Sequence, residues 1–153
     1  MFYSDYFYFQ VAANQLIVNS LLVNRNPQNK TKMNNKRPTS RQLERELSQQ
    51  IKNFYQEQIS LKPQKITCKL FSRYIAIVAD NALTPVESNL WQLGNQILIQ
   101  KVRNEINQTL KPKLSKLISD ILNVEVEALL EGADFGTNRF ALLVVLSQPP
   151  LLR

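Results

Sequence analysis

From residue 41 onward, apolar residues recur at spacings that predict helices and strands in a regular order. The first segment carries them three and four positions apart, as on one face of an amphipathic helix: Leu43, Leu47, Ile51, Phe54 and Tyr55. Pro63 disfavours helical geometry at the residue before it, so this helix is expected to fade near Ser60.

Two strands are predicted after this helix. Apolar and polar residues alternate over 65–71, which is typical of a strand with one solvated face. Residues 74–79 are apolar on both faces and predict an interior strand, joined to the first by a short hairpin at Ser72 and Arg73.

The clearest local signal is a helix start at Thr84. The Thr84 side chain can cap the first free amides, and the Glu87 side chain can reach back to the Thr84 amide. Pro85 suits the first helical position, because an N–H at that position would have no partner in the helix. As a capping residue, Glu87 is expected to contribute less to stability than Thr84. Helical spacing then continues to Leu110, which predicts one long helix that ends or kinks before Pro112.

The remaining residues predict another helix and two more strands. Apolar residues keep helical spacing over 114–122, and residues 124–128 alternate as a half-exposed strand. Residues 139–146 contain a continuous apolar run, which is typical of a buried strand, and 132–138 is expected to form the turn before it.

This order of elements predicts a single α+β domain over residues 41–147. Because the strands come in adjacent pairs, a four-stranded, mostly antiparallel sheet with helices on one face is favoured over a doubly wound fold. The two strongly apolar strands are expected at the centre of the sheet and the alternating strands nearer its edges. Residues 148–153 are assigned to a C-terminal tail.

Residues 1–40 differ in composition and are predicted to be an extension that lies outside the functional unit. The stretch 2–23 is apolar and aromatic, but scattered polar residues argue against a bilayer span, and its start lacks the basic residues of a signal peptide. Residues 24–40 are polar and basic, as in a linker or disordered arm. Residues 1–32 are expected to be dispensable for folding, with a membrane-associating N-terminus as the alternative.

Composition excludes several kinds of site. The 153 residues include no histidine, which excludes a Ser-His-Asp or Cys-His relay and a His-ligated metal. Three glycines are too few for a glycine-rich phosphate loop. Cys68, the one cysteine, cannot form an internal disulfide, and its core-facing position favours a structural thiol. More than half of the net charge of +7 falls in residues 1–40, so the predicted domain is only mildly basic.

Several residues of the domain, in order, resemble a motif of the MpsC-like family over about residues 42–147. These residues are Leu83, Thr84, Glu87, Leu90, Arg103, Leu122 and Val124 or Val126. Members of that family are small bacterial domains, named for a proposed sodium-translocating, membrane-potential-generating system. The resemblance implies a non-enzymatic accessory protein in the cytoplasm, peripheral to the membrane. From composition, no catalytic residue, cofactor or metal is assigned.

The chain departs from that family pattern at two places. A glycine-rich segment after the first helix is replaced by 60–63, which keeps Lys62 and Pro63 but neither glycine. A glycine at the later helix-to-strand passage is replaced by Asn123, a residue that also tolerates left-handed backbone.

Each candidate site residue has a functional and a structural interpretation. Arg103 can bind an anion or a partner's carboxylate, or it can be a solvated or internally paired residue. Lys62 can grip a phosphate or be a surface lysine. Thr84 and Glu87 can belong to a site, but a capping box explains both. In each case the structural interpretation is favoured.

Other candidates follow the same logic. Trp91, beside Leu90, is interpreted as a core or interface residue rather than a base-stacking platform. Four carboxylates are the best candidates for an acid–base or cation site: Glu125, Glu127, Glu131 and Asp134. They are interpreted as part of a solvated sheet face.

The favoured function is a non-enzymatic module that binds another protein or a second copy of itself. The long helix carries more apolar positions than one stripe needs, which favours a homo-oligomer with Arg103 and Glu105 at the rim of the interface. The alternative is a module that binds nucleic acid or anionic membrane through the basic N-terminal arm and the run Lys111–Lys116. A small enzyme that uses carboxylates alone is the third possibility.

Overall fold

The computed structural model describes residues 37–153, and the predictions made for residues 1–36 lie outside this range. The described chain forms these elements, in order: α1 Ser40–Ile59, β1 Lys65–Phe71, β2 Tyr74–Asp80, α2 Pro85–Gln92, α3 Gln96–Leu122, β3 Val126–Asp134 and β4 Arg139–Leu146. The predicted α+β class and the order of helices and strands are confirmed.

Helix α1 forms where the apolar stripe predicted it, and its stripe residues are buried. It begins with a capping box: Gln42 N–H donates to the Thr39 hydroxyl (3.3 Å), and Thr39 N–H donates to the Gln42 side chain (2.8 Å). It ends at Ser60, whose φ of 54° is left-handed. Thr39 and Ser40 therefore belong to the folded helix and not to the N-terminal extension assigned from the sequence.

The four strands form one antiparallel sheet in the order β1-β2-β4-β3. The strongly apolar strands β2 and β4 are central and the alternating strands lie at the edges, as the sequence predicted. The register places Cys68 opposite Ile77, and Ile77 opposite Leu142. These three residues are buried on the same face of the sheet.

Strand β3 is longer than predicted and begins later. The sequence suggested residues 124–128, whereas the strand runs from Val126 to Asp134 with an irregularity between Val126 and Ala128. Gly132, which was expected in the turn, instead pairs with Ala141 of β4. The turn is correspondingly short and closes at Asn138, whose φ is 53°. Glycine alone was therefore a misleading turn signal in this strand.

The prediction of one helix from Thr84 to Leu110 was wrong about where the helix breaks. The break lies at 93–95, where Gly94 adopts a φ of 70° and the Asn95 side chain accepts a hydrogen bond from Leu98 N–H (3.2 Å). Helix α3 then continues through Pro112. Buried Leu110 and Leu114 flank this proline, so packing on both sides offsets the hydrogen bond that it cannot donate.

The core lies between the helices and one face of the sheet. Strand residues that point to this face are buried against apolar residues of α1 and α3, among them Leu47, Ile51, Leu114 and Ile118. The C-terminal tail also joins this unit: Leu152 packs against the core, and Arg153 N–H donates to the Pro38 carbonyl (3.2 Å).

Helix α1 also covers the free edge of β1. Glu44 Oε1 accepts a hydrogen bond from Leu70 N–H (3.1 Å), and Glu44 Oε2 lies 3.1 Å from Lys69 Nζ. The Leu70 amide holds the pKa of the Glu44 carboxyl below its usual value. An edge amide that is already bonded is not available for strand addition by another chain.

Within residues 37–153, no helix combines the length and the apolar character that crossing a bilayer requires.

Candidate functional site

The capping box and Arg103, which the sequence singled out separately, meet where α2 turns into α3. We call this region, residues 84–103, the helical corner. Its position is set by the break at 93–95, because this break folds the start of α3 back alongside α2.

The capping box at Thr84 has the predicted geometry. Glu87 N–H donates to the Thr84 hydroxyl oxygen (3.3 Å), and Glu87 Oε2 accepts from both the N–H and the hydroxyl of Thr84 (2.8 Å each). The predicted helix start is confirmed. The Glu87 side chain is also completely buried, which a cap on a surface helix does not require.

Arg103 is the reason that this carboxylate can be buried. Its Nη2 donates a hydrogen bond to Glu87 Oε2 (2.9 Å), and its Nε lies 2.6 Å from Oε1. The Nε–H does not point along the shorter contact, so that contact is mainly electrostatic. Arg103 is itself 5% exposed. The expectation of an internal ion pair is therefore confirmed, and the expectation that Arg103 lies at an interface rim is wrong.

Arg103 also ties the helical corner to the sheet. Its Nη2 donates to the Ala82 carbonyl (3.2 Å), and its guanidinium lies 5.5 Å from the centre of the Phe140 ring on β4. The loop that holds Ala82 is fixed in turn by the Asn138 side chain, whose Oδ1 accepts from the N–H groups of Ala82 (2.9 Å) and Leu83 (2.8 Å). Helices α2 and α3 and strand β4 thus share one buried polar network.

Glu131 lies on the helix-facing side of β3, below α3. Burial raises the pKa of its carboxyl, while the charges of Lys111 and Arg103 and a hydrogen bond with Asn107 partly oppose that rise. The folded protein therefore holds the Glu131 proton more tightly than the unfolded chain does. This site stabilises the fold at low pH, and its contribution is lost as the pH rises through the folded-state pKa.

We therefore expect Glu131→Gln to raise the melting temperature at pH 7 and to leave it nearly unchanged at pH 4, since the neutral amide imitates the protonated acid. Thermal unfolding of both proteins at the two pH values measures this difference. Glu105→Gln, on the exposed side of α3, is the matched control. A Glu131→Gln protein that melts below the wild type at pH 7 contradicts the assignment.

The outer surface of the helical corner is apolar. Its large exposed side chains, with their exposed fractions, are Leu93 (80%), Ile97 (74%), Val86 (58%), Leu98 (42%) and Trp91 (40%). The Trp91 ring lies 6.1 Å from the ring of Phe135, between centroids, beside a groove of about 350 Å³ lined also by Gln96 and Gln100. The corner therefore presents an apolar surface whose polar border carries few charges, Asp134 and Lys101 among them.

The structure brings some of the predicted site residues together and leaves others apart. Thr84, Glu87 and Arg103 are in contact, whereas Lys62 is exposed in the connection between α1 and β1. Leu90 is half-buried on α2, and Trp91 next to it faces the groove.

The remaining candidates have structural explanations. Cys68 is buried and burial raises the pKa of its thiol, so it is a core residue as predicted. Among residues 37–153, no group of three or more acidic or cysteine side chains is arranged to hold a metal ion. In the basic run, Lys113 donates to Gln58 Oε1 (2.7 Å) and Lys116 pairs with Asp120 (2.7 Å).

Asn138, which reaches across from the β3–β4 turn, was not singled out from the sequence, and neither was the helix break at Leu93. The interpretation of Glu131 as part of a solvated sheet face was wrong, because it faces the helices. The sequence carried one usable signal: Gly94 and Asn95 in succession, a pair of residues that often ends one helix and starts another.

Taken together, these observations describe a small α+β domain whose helices cover one face of an antiparallel sheet and whose buried polar residues hold an apolar corner in place. Residues 39–148 match the family model described as "Na+-translocating membrane potential-generating system (MpsC)", and the chain belongs to this family. No curated protein and no solved structure matches the chain.

Proposed function

We propose that this protein is a non-enzymatic accessory module that binds a protein partner through the helical corner. The observation that carries this proposal is the exposure of Leu93 (80%) and Ile97 (74%) on either side of the helix break. Apolar side chains that are exposed together on a well-anchored element are typical of interaction sites.

The buried charges support a structural role for the chemistry at the corner. Glu87 and Arg103 are engaged with each other, with the Thr84 cap and with the Ala82 carbonyl. A catalytic acid, base or anion-binding group must meet its substrate, whereas these groups are enclosed by the fold. They are suited to holding α2 and α3 at a fixed angle.

The composition of the corner supports a protein as the partner. Within the corner, Glu87 and Arg103 are buried and paired, and Lys101 is the one exposed basic side chain. The exposed polar residues there include Gln92, Asn95, Gln96 and Gln100, which can form hydrogen bonds without adding charge. Nucleic acid and anionic lipid are recognised mainly by basic side chains, so this surface fits neither.

Membership in the MpsC family supports a link to a sodium-translocating membrane system. We propose that the partner is a protein component of such a system and that this module acts from the cytoplasm, at the periphery of the membrane. The apolar corner is then the docking surface, and the buried pair beneath it maintains its shape before the partner arrives.

The test is the double substitution Leu93→Ser and Ile97→Ser in the full-length chain. Cross-linking in the native cells, followed by quantitative co-purification from the membrane fraction, is expected to show at least a roughly tenfold loss of the partner. Leu151→Ser removes another strongly exposed leucine (69%) from the C-terminal tail and is the matched control. Circular dichroism must show that both variants are folded.

Retention of the same membrane-system proteins by the folded double variant would refute the assigned surface. Recovery of nucleic acid in place of protein, abolished by Lys111→Ala and Lys113→Ala, would refute the proposed partner class.

A further inference from the structure

The sheet face opposite the helices is also apolar, and within residues 37–153 no helix packs on it. We call it the outer sheet face. Alternation along the four strands places these apolar side chains on it: Phe71, Tyr74, Ala76, Val78, Ala128, Leu130, Ala141, Leu143 and Val145. Phe71, Val78 and Leu130 are 51%, 39% and 58% exposed. This face is separate from the helical corner and goes beyond the function proposed above.

We propose that the outer sheet face binds a second copy of this chain, and that the two copies are related by a two-fold axis parallel to the strands. Two sheets that pack in this way form a sandwich about 10 Å apart, with the helices of each copy on the outside. Glu44, which accepts a hydrogen bond from the Leu70 amide, disfavours joining two sheets through their β1 edges.

The charges at one end of the face support a second copy as the occupant. At this end, one residue from each strand points outward, and together the four form a row across the sheet. In the order β1-β2-β4-β3 they are Lys65, Asp80, Arg139 and Asp134. Their signs alternate. A two-fold axis parallel to the strands reverses the order of the row, so Lys65 faces the partner's Asp134, and Asp80 faces the partner's Arg139. Asp80 and Arg139 also pair within one copy (2.6 Å), so the contact of Lys65 with the partner's Asp134 is the charge pairing that the dimer adds.

The sizes of the apolar side chains fit the same axis. It places Phe71 over the partner's Ala128, Val78 over the partner's Ala141, and Ala76 over the partner's Leu143. In these three pairs a large residue meets a small one, as interdigitating layers require, and Leu130 lies over the partner's Lys69. A two-fold axis perpendicular to the strands would instead stack the charged row on the aromatic end of the face.

The available area predicts a weak dimer. Four strands of this length cover about 20 Å by 23 Å, so two copies bury on the order of 1,000 Å², counting both surfaces. Specific interfaces begin at about this size. We therefore expect a dissociation constant in the micromolar range, about 1–100 μM.

The decisive experiment reverses the charge at one of two positions that are far apart within one copy but meet across the proposed interface. Lys65 and Asp134 lie on opposite edge strands of the sheet. In sedimentation of the full-length chain, Lys65→Glu alone and Asp134→Lys alone are each expected to weaken dimerisation about tenfold, because like charges then face each other across the axis. An equimolar mixture of the two variants is expected to regain dimers, since every pair in the mixed dimer is again of opposite sign.

Two further variants keep the test independent of folding. The Asp134 carboxylate accepts hydrogen bonds from the N–H groups of Gly136 and Thr137, and Asp134→Asn retains an acceptor there while removing the charge. Leu130→Lys changes an exposed residue that faces the partner's Lys69, and it is expected to abolish the dimer through like charges without lowering the melting temperature of the monomer.

Three results would overturn the inference. The first is a full-length chain that stays monomeric up to about 0.2 mM. The second is a dimer that Leu130→Lys leaves intact. The third is a dimer lost through Leu93→Ser and Ile97→Ser but not through Leu130→Lys, which would move self-association to the helical corner. Loss of the membrane partner with the dimer unchanged affects only the proposed function.

Discussion

Replacing Glu87 with alanine is expected to destabilise the domain by about 3–5 kcal/mol, because the substitution leaves the buried guanidinium of Arg103 without its partner. The effect should exceed that of Thr84→Ala, which removes a cap oxygen and is expected to cost about 1 kcal/mol. This order reverses the expectation from the sequence, where Glu87 looked like the lesser member of a capping box. Denaturant unfolding of the three proteins measures both changes.

Two more variants separate the charge from the cap. Glu87→Gln keeps an oxygen that can accept from the Thr84 amide, so any large loss of stability in this variant belongs to the unpaired Arg103. Adding Arg103→Met to Glu87→Met should recover a substantial part of the loss, since replacing both members of a buried pair with apolar residues is often tolerated. If Glu87→Ala costs no more than Thr84→Ala, the pair is not a major source of stability.

The second large effect is expected at Ile77, at the centre of the sheet. Ile77 is 1% exposed and lies between Cys68 and Leu142 on the helix-facing side. Ile77→Ala should therefore cost about 2–5 kcal/mol, through lost burial and the cavity left behind. Denaturant unfolding at a concentration where the chain is monomeric gives the value.

Val78 provides a matched control in the same strand. Its side chain points to the outer sheet face and is 39% exposed. Val78→Ala is expected to cost less than about 1 kcal/mol in the monomer. Equal losses at the two positions would mean that the outer sheet face is covered in solution even at low concentration.

Features that depend on neighbours in sequence were predicted well. The capping box needs only Thr84 and the residue three positions later, and the central strands follow from unbroken apolar runs. The Glu87–Arg103 pair is different. On the single long helix that the sequence suggested, these residues would lie about 24 Å apart. They meet only because the chain reverses at Gly94, and that reversal was the feature missed.

Pro112 shows why the break was sought in the wrong place. The local rule is sound, because a proline inside a helix removes a hydrogen bond and crowds the preceding turn. That penalty was outweighed by the burial of Leu110, Leu114 and Ile118 along the same face of α3. Glu131 was misassigned because the irregularity between Val126 and Ala128 reverses the alternation, so that Glu131 falls on the helix-facing side.

The two proposed surfaces have a joint consequence. Because the helices lie on the face opposite the outer sheet face, a sandwich of two copies presents both helical corners outward. Such a dimer is bivalent, and it can hold a membrane component that occurs in pairs more tightly than either corner does alone.

The left-handed turns of this chain are made largely by asparagine and serine. Ser60, Ser72, Asn81, Asn123 and Asn138 all have φ between 52° and 55°. Compared with glycine, a residue with a side chain is slightly strained in this backbone conformation, which destabilises the folded state. It also has fewer conformations in the unfolded chain, which lowers the entropy that is lost on folding. The two effects oppose each other, so Asn123→Gly is expected to leave the fold unchanged and to alter its stability only slightly.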